Sequence, residues 1–168
     1  WPNTRELMFT RQLMRLLKPK AIKLDEKNRI ETLMTVLAGQ RYSAIYFDDP
    51  DTNDGKSLQK LFDRLQKPLL SAANKAGILD RDAAVRLHLV FVDGVTVWLG
   101  TSLAGQTLRW PMGIPRLKMP HDAPSRSTLK LAEAFEFFMD KPEQEEWLRE
   151  GLTAVDLGAC PGGWTYQL

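Results

Sequence analysis

Residues 152–164 constrain this chain more than any other stretch. Leu152-Thr153-Ala154-Val155-Asp156-Leu157 is a short apolar run of the buried-strand type. It passes directly into Gly158-Ala159-Cys160-Pro161-Gly162-Gly163, with a helix expected from Trp164 onward. Strand, acid, glycine turn and helix in that order open a doubly wound α/β sheet. The glycines allow the backbone to approach a ligand closely and to take positive φ. The helix N-terminus behind them presents free N–H groups to a carboxylate or phosphate. A dinucleotide loop would read G-x-G-x-x-G, whereas the glycines here fall at 158, 162 and 163, which disfavours NAD or FAD. No Lys-Ser/Thr pair follows the second glycine, so the loop is not a P-loop.

The rest of the chain reads as a small mixed α/β domain and a proline-rich connection. Thr4–Leu17 fits a helix through Leu7, Met14 and Leu17, or a strand over Arg11–Leu17. Asp25 is placed to cap a helix whose apolar face is Ile30, Leu33, Met34 and Leu37, ended by Gly39. Tyr42–Phe47 reads as a strand, broken by an acidic turn from Asp48 to Gly55. Leu58, Leu61, Phe62 and Leu65 predict a second helix, and Pro68 restarts a third that stops near Gly77. Val85, Leu87, Leu89 and Phe91 alternate with Arg86, His88 and Val90, which places His88 on the solvated face of a strand. Asp93-Gly94 is a hairpin signal, with Val95–Leu99 the return strand. Pro111, Pro115, Pro120 and Pro124 then mark an ordered linker. Ser125–Met139 reads as a helix, and the acidic run through Trp147 as a solvated one.

Composition excludes several classes. The 168 residues are 43% hydrophobic and 26% charged, ample for a core and unlike a disordered chain. No apolar run approaches the ~20 residues of a membrane span. The single cysteine, Cys160, rules out an internal disulfide framework and a multi-cysteine zinc site, and fits a reducing cytoplasm. The two histidines, His88 and His121, lie far apart, so no metal site is expected. A start at Trp1-Pro2-Asn3, with neither initiator Met nor signal pattern, reads as part of a longer product. Net charge is only +2, yet basic residues cluster over 1–24 and 109–130 while acids cluster over 133–150. Basic clusters around a near-neutral mean are a footprint suited to phosphate backbones.

The string Val-Asp-Leu-Gly-Ala-Cys-Pro-Gly-Gly-Trp over 155–164 resembles motif I of the FtsJ-like, class I S-adenosylmethionine-dependent methyltransferases. That resemblance implies a Rossmann-like catalytic domain. In it the backbone around Gly158, Cys160, Pro161, Gly162 and Gly163 cradles S-adenosyl-L-methionine. Ser125-Arg126-Ser127-Thr128-Leu129-Lys130-Leu131 is similar to the S-R-x-x-x-K-L element of the same enzymes. By that likeness Ser127 contacts the cofactor, and Lys130 is catalytic, the first of a Lys-Asp-Lys-Glu tetrad. The chemistry suits a lysine: a ribose 2′-hydroxyl must be aligned, helped to lose its proton, and stabilised as charge develops. The remaining tetrad members would fall beyond Leu168, so the chain alone is expected to be inactive and residues 125–168 poorly stable by themselves.

Residues 112–131 together with 156–168 resemble, more narrowly, the bacterial 23S ribosomal RNA ribose 2′-O-methyltransferase M family. The likeness implies the end of a ferredoxin-like domain at 1–24, which favours a strand near Arg11–Leu17. It further implies a THUMP RNA-binding domain at 25–110, a linker at 111–124, and the N-terminal part of the methyltransferase domain at 125–168. The implied reaction is methylation of a cytidine 2′-OH in 23S ribosomal RNA, on naked RNA or a large-subunit precursor particle, by a cytoplasmic monomer without metal. Arg116, Lys118 and Arg126, beside the active-site element, are the candidate phosphate contacts. Three competing readings are a THUMP-containing tRNA-modifying enzyme, a non-catalytic RNA-binding module and a nicotinamide oxidoreductase. The Lys130 element and the Pro-Gly-Gly-Trp loop oppose the first, an intact tetrad downstream would oppose the second, and the glycine spacing opposes the third.

Overall fold

The computed structural model describes residues 10, 12–49, 52–105, 108 and 110–168. The expectations for residues 4–9, for Arg11, for Pro50 and Asp51, and for Arg109 lie outside that set. The chain divides into two units, Trp1–Ile114 and Pro115–Leu168.

The first unit is built on a five-stranded sheet. Its centre is the antiparallel pair β4 (Val85–Phe91) and β5 (Thr96–Leu103), in register from Val85↔Leu103 to Phe91↔Val97. The connection is organised by Asp93, which accepts from the backbone N–H groups of Val95 at 2.8 Å and Thr96 at 2.6 Å. β3 (Ile45–Asp48) pairs with β4 in parallel, Ile45 beside Leu87. Along the free edge of β5 lie two short strands, β1 (Arg15–Leu16) and β2 (Ile22–Lys23), both antiparallel to it. Pro19, which has no N–H to donate, sits in the break between them with exposed Lys18 and Lys20, residues suited to a protected sheet edge.

The α-helices described in this unit are α1 (Arg29–Leu37), α2 (Asn53–Ser57) and α3 (Gln59–Lys75), and a 3-10 turn follows at Pro111–Gly113. Leu33 and Leu37 of α1, and Phe62, Leu65, Leu69 and Ala73 of α3, join Leu87, Leu89, Phe91, Val97 and Leu99 in one core. Aromatic rings knit its middle, with Phe91 centred 6.1 Å from Phe47 and 5.2 Å from Phe62. Three expectations are corrected here. Asp25 does not cap α1: its carboxylate accepts from Lys27 N–H in a turn, and the helix starts four residues later. The acidic turn contains α2 at Asn53–Ser57. The break at Pro68 is absent, since α3 runs through it; Pro68 is exposed, so the carbonyl that loses its donor faces water.

The second face of the sheet departs furthest from expectation. His88 is completely buried, as are Asp48 and Ser102, each of which is hydrogen-bonded to a different nitrogen of its ring. Strand alternation places them correctly on the face opposite Leu87 and Leu89. That face is covered, because Met14 packs against Gly100, Gln12 reaches His88, and Leu108 and Met112 bond to Arg86 and Asp48 respectively.

The second unit holds α4 (Ser127–Phe138) and α5 (Lys141–Trp147). The latter starts in a capping box in which Asp140 and Glu143 each accept the other's backbone N–H. The strand expected over 152–157 does not form: no pairing partner for it occurs among the described residues, and Val155 is 77% and Leu157 90% exposed. Beyond Trp164 the backbone makes turns instead of the expected helix, with Tyr166 N–H bonded to the Gly162 carbonyl at 2.9 Å. The mixed α/β character of the chain as a whole stands as expected.

Candidate functional site

The glycine loop and the start of α4 meet within the second unit. Gly163 is buried, and a Cβ there would collide with the hydroxyls of Ser125 and Ser127 and come within 3.0 Å of the Thr128 nitrogen. Only a glycine lets the loop backbone lie so close to the helix start. Gly158 and Gly162 hold φ of 79° and 92°, the left-handed region that side chains resist. Ser125 and Ser127 share a hydrogen bond of 2.6 Å. Thr128, the second residue of α4, is fully buried, and its hydroxyl has no hydrogen-bond partner.

The loop is tied down on both sides. Asp156, which precedes it, accepts from the Thr165 hydroxyl at 2.7 Å. Tyr166, which follows it, donates its hydroxyl to Asp122 at 2.8 Å, and that bond with the nearby carboxylate charge raises the phenol pKa above its ordinary value. Cys160 is a free, exposed thiol, and Pro161 beside it is also exposed.

The sequence-predicted residues are therefore placed as follows. Ser127 stands against the loop at Gly163, and Lys130 lies three residues further along α4, exposed to solvent. A separation of three puts both on adjoining positions of one helix face. Arg116, Lys118 and Arg126 are all exposed, and no ion pair involves them among the described residues. Sequence reasoning did not single out Ser125 and Thr128, although both lie in the same seven-residue string; what distinguishes them, contact with Gly163 and an unpaired buried hydroxyl, is visible only in three dimensions.

These groups suit a small polar ligand. The loop offers backbone at close range, the serine pair and Thr128 offer hydroxyls, and Lys130 offers a cation one turn away. The orphaned Thr128 hydroxyl in particular is a group that a bound ligand or water would satisfy. Nothing comparable exists for a metal: among the described residues no three His, Cys, Asp or Glu side chains gather. Likewise no helix among them is long and apolar enough to cross a membrane.

Comparison with known proteins agrees with this division of the chain. Residues 28–103 match the family model described as ribosomal RNA large subunit methyltransferase M, N-terminal. Residues 123–168 match that of FtsJ-like methyltransferases. Among curated proteins, the ribosomal RNA large subunit methyltransferase M of Laribacter hongkongensis is 44% identical over 98% of this chain and 46% of its own length. Those of Methylococcus capsulatus and Shewanella loihica are each 46% identical over 96% of this chain and 46% of their own lengths. The chain thus spans about half the length of the relatives it matches. Two family models matched in that order, and alignments at 44–46% identity over 96–98% of the chain, identify it as a match to a fragment of the ribosomal RNA large subunit methyltransferase M family.

Proposed function

We propose that this chain is the RNA-binding and cofactor-entry half of an S-adenosylmethionine-dependent enzyme that methylates the 2′-hydroxyl of a cytidine in 23S ribosomal RNA. The observation that carries the reading is the packing of the Gly158–Gly163 loop onto the Ser125–Lys130 helix start, which joins two motifs 28 residues apart in one place. The names of its relatives support a ribosomal RNA substrate.

In this reading Gly158, Cys160, Pro161, Gly162 and Gly163 line the cofactor with backbone, and Ser127 adds a hydroxyl. S-adenosyl-L-methionine, when bound, supplies an activated sulfonium methyl group. Lys130 then orients the ribose 2′-oxygen for in-line attack and stabilises negative charge as its proton leaves. Residues 25–110 act as a THUMP-type module that selects RNA by shape and backbone. Arg116, Lys118 and Arg126 contact phosphates. The protein works in the cytoplasm as a monomer, and the 168 residues by themselves are inactive.

The test uses the intact protein, methyl-labelled S-adenosylmethionine and ribosomal RNA from a strain lacking the enzyme, followed by alkaline digestion. Label in an alkali-resistant dinucleotide is the expected result, because a blocked 2′-oxygen prevents cleavage. Label in mononucleotides, or transfer to tRNA alone, would overturn the assignment. Lys130→Ala should lower the rate on the order of a hundredfold or more while leaving cofactor binding intact. Alanine at Arg116, Lys118 and Arg126 should instead weaken RNA binding and flatten its salt dependence, by roughly one unit of slope per lost contact.

A further inference from the structure

Asp48, His88 and Ser102 are fully buried in the first unit, remote in sequence from the glycine loop, and the reaction proposed above uses none of them. In the tautomer protonated at Nδ1, His88 donates to Asp48 Oδ2 at 2.7 Å, and the single lone pair of its Nε2 is shared between the Ser102 hydroxyl at 2.8 Å and the Gln12 amide at 3.1 Å. Acid, imidazole and hydroxyl in line have the layout of a nucleophilic triad. Yet a serine without solvent exposure meets no substrate, so the arrangement serves another end.

That end is shown by the second oxygen of Asp48. Oδ1 accepts the backbone N–H of Met112 at 2.9 Å. Met112 holds φ of 51°, the one non-glycine residue in the left-handed region among those described. A side chain resists such a conformation, which persists where surrounding contacts impose it. Arg86, two residues before His88 on β4, donates to the Leu108 carbonyl at 2.9 Å. Its guanidinium also lies 5.9 Å from the Tyr46 ring, whose edge in turn meets His88. Two side chains of the sheet thus grip residues 108 and 112, just before the first unit ends at Ile114. A buried carboxylate is an expensive way to hold a core together, since apolar residues of similar volume often serve stability as well or better. It is an effective way to fix the position of one backbone N–H.

We propose that Asp48, held by His88 and Ser102, is a positioning residue that clamps Met112 and so sets where the tether to the catalytic unit begins. The inference rests on the reading that the first unit captures RNA for the second. With the clamp closed, the tether is counted from Met112 rather than from Leu108, which Arg86 holds independently. A shorter tether raises the effective concentration at which captured RNA meets the active site.

The intact protein tests this with three variants assayed by methyl transfer to unmodified ribosomal RNA, cofactor affinity, melting temperature and hydrogen exchange at Met112. Asp48→Ala removes the acceptor. Asp48→Asn keeps an oxygen for Met112 N–H and turns its amide N–H toward His88, which adopts the other tautomer and donates to Ser102 instead. Two glycines inserted between Ile114 and Pro115 leave the clamp untouched and lengthen the tether. Asp48→Ala should unprotect the Met112 amide and raise KM for RNA on the order of tenfold, with cofactor affinity unchanged. Asp48→Asn should restore most of that loss. The insertion should reproduce the KM effect at normal melting temperature, and it decides the question where Asp48→Ala folds poorly. Unchanged RNA kinetics in the insertion, unchanged Met112 exchange in Asp48→Ala, or equal damage in Asp48→Asn and Asp48→Ala would each overturn the proposal. Failure of the wild-type protein to methylate RNA would instead overturn the functional reading, and Met112 exchange would still decide the clamp.

Discussion

A methyl group at Gly163 would press on two serine hydroxyls and on the Thr128 backbone nitrogen, which cannot move without unwinding the first turn of α4. Gly163→Ala should therefore push the loop off the helix and weaken S-adenosylmethionine binding at least about tenfold, a change calorimetric titration of the intact protein would register. Asp93 gives a prediction of a different kind. The N–H of Val95 and the Thr96 hydroxyl hold its carboxyl below the ordinary carboxylate value. A depressed folded-state pKa contributes stability that is present above the unfolded value and lost as pH falls through the folded one. Asp93→Asn, which keeps an acceptor oxygen but does not titrate, should flatten the acid end of the stability curve below about pH 4, measured by urea midpoints across pH. At this scale the sequence was most legible where a residue type has few uses, as at Gly158, Gly162 and Gly163. His88 shows the opposite case. Alternation told which face of β4 it occupies, but solvation depends on Gln12, Met14, Leu108 and Met112, whose arrival over that face has no local signature.

Among the elements, α3 carries the clearest imprint and the clearest surprise. Phe62 and Leu65 repeat at helical spacing and are buried as read, while Leu69 and Ala73 continue the same face past Pro68, where a break was expected. Pro68 falls between them, on the exposed side, where a helix tolerates a missing donor. Pro68→Ala should restore that bond and stabilise the first unit by up to about 3 kcal/mol, seen as a higher denaturant midpoint; an unchanged or lower midpoint would mean that the proline's effect on the unfolded chain dominates. The pairing of β4 with β5 was legible but its register was not: Asp93-Gly94 suggests a two-residue turn, whereas the Val92 N–H bonds to the Thr96 carbonyl across a three-residue turn and β5 runs on to Leu103. Residues 152–157 mark the limit of such reasoning. Their composition is that of a strand, but a strand is a property of a pair, and no partner for it is present among the described residues. Propensity names the candidate, and pairing alone makes the element.

The whole molecule separates its tasks between two units of different build. The first is closed around one core, so Leu89→Ala at its fully buried centre should cost about 2–5 kcal/mol, readable in its unfolding transition. The second packs its glycine loop on the start of α4 and leaves Phe138, Trp147, Val155 and Leu157 largely exposed. Its function-bearing motifs were visible in the sequence because chemistry restricts them, whereas its expected strand was not realised. In the first unit, sequence distance also divides the sheet. β4 and β5 close across a short turn, while β1 and β2 reach the same strand from far away, Ile22 pairing with Val97 across 75 positions. Loop closure delays such contacts, so the hairpin is expected to be the early folding element and the N-terminal edge the late one. The edge strands would also be the first to open again. In native-state hydrogen exchange, Leu17 and Leu24, whose amides bond to β5 and its turn, should become labelled long before Leu89. Because Gln12 and Met14 precede that same edge, each such opening would briefly hydrate the imidazole of His88, making a residue sealed in the native state the slow, intermittent reporter of how often the sheet breathes.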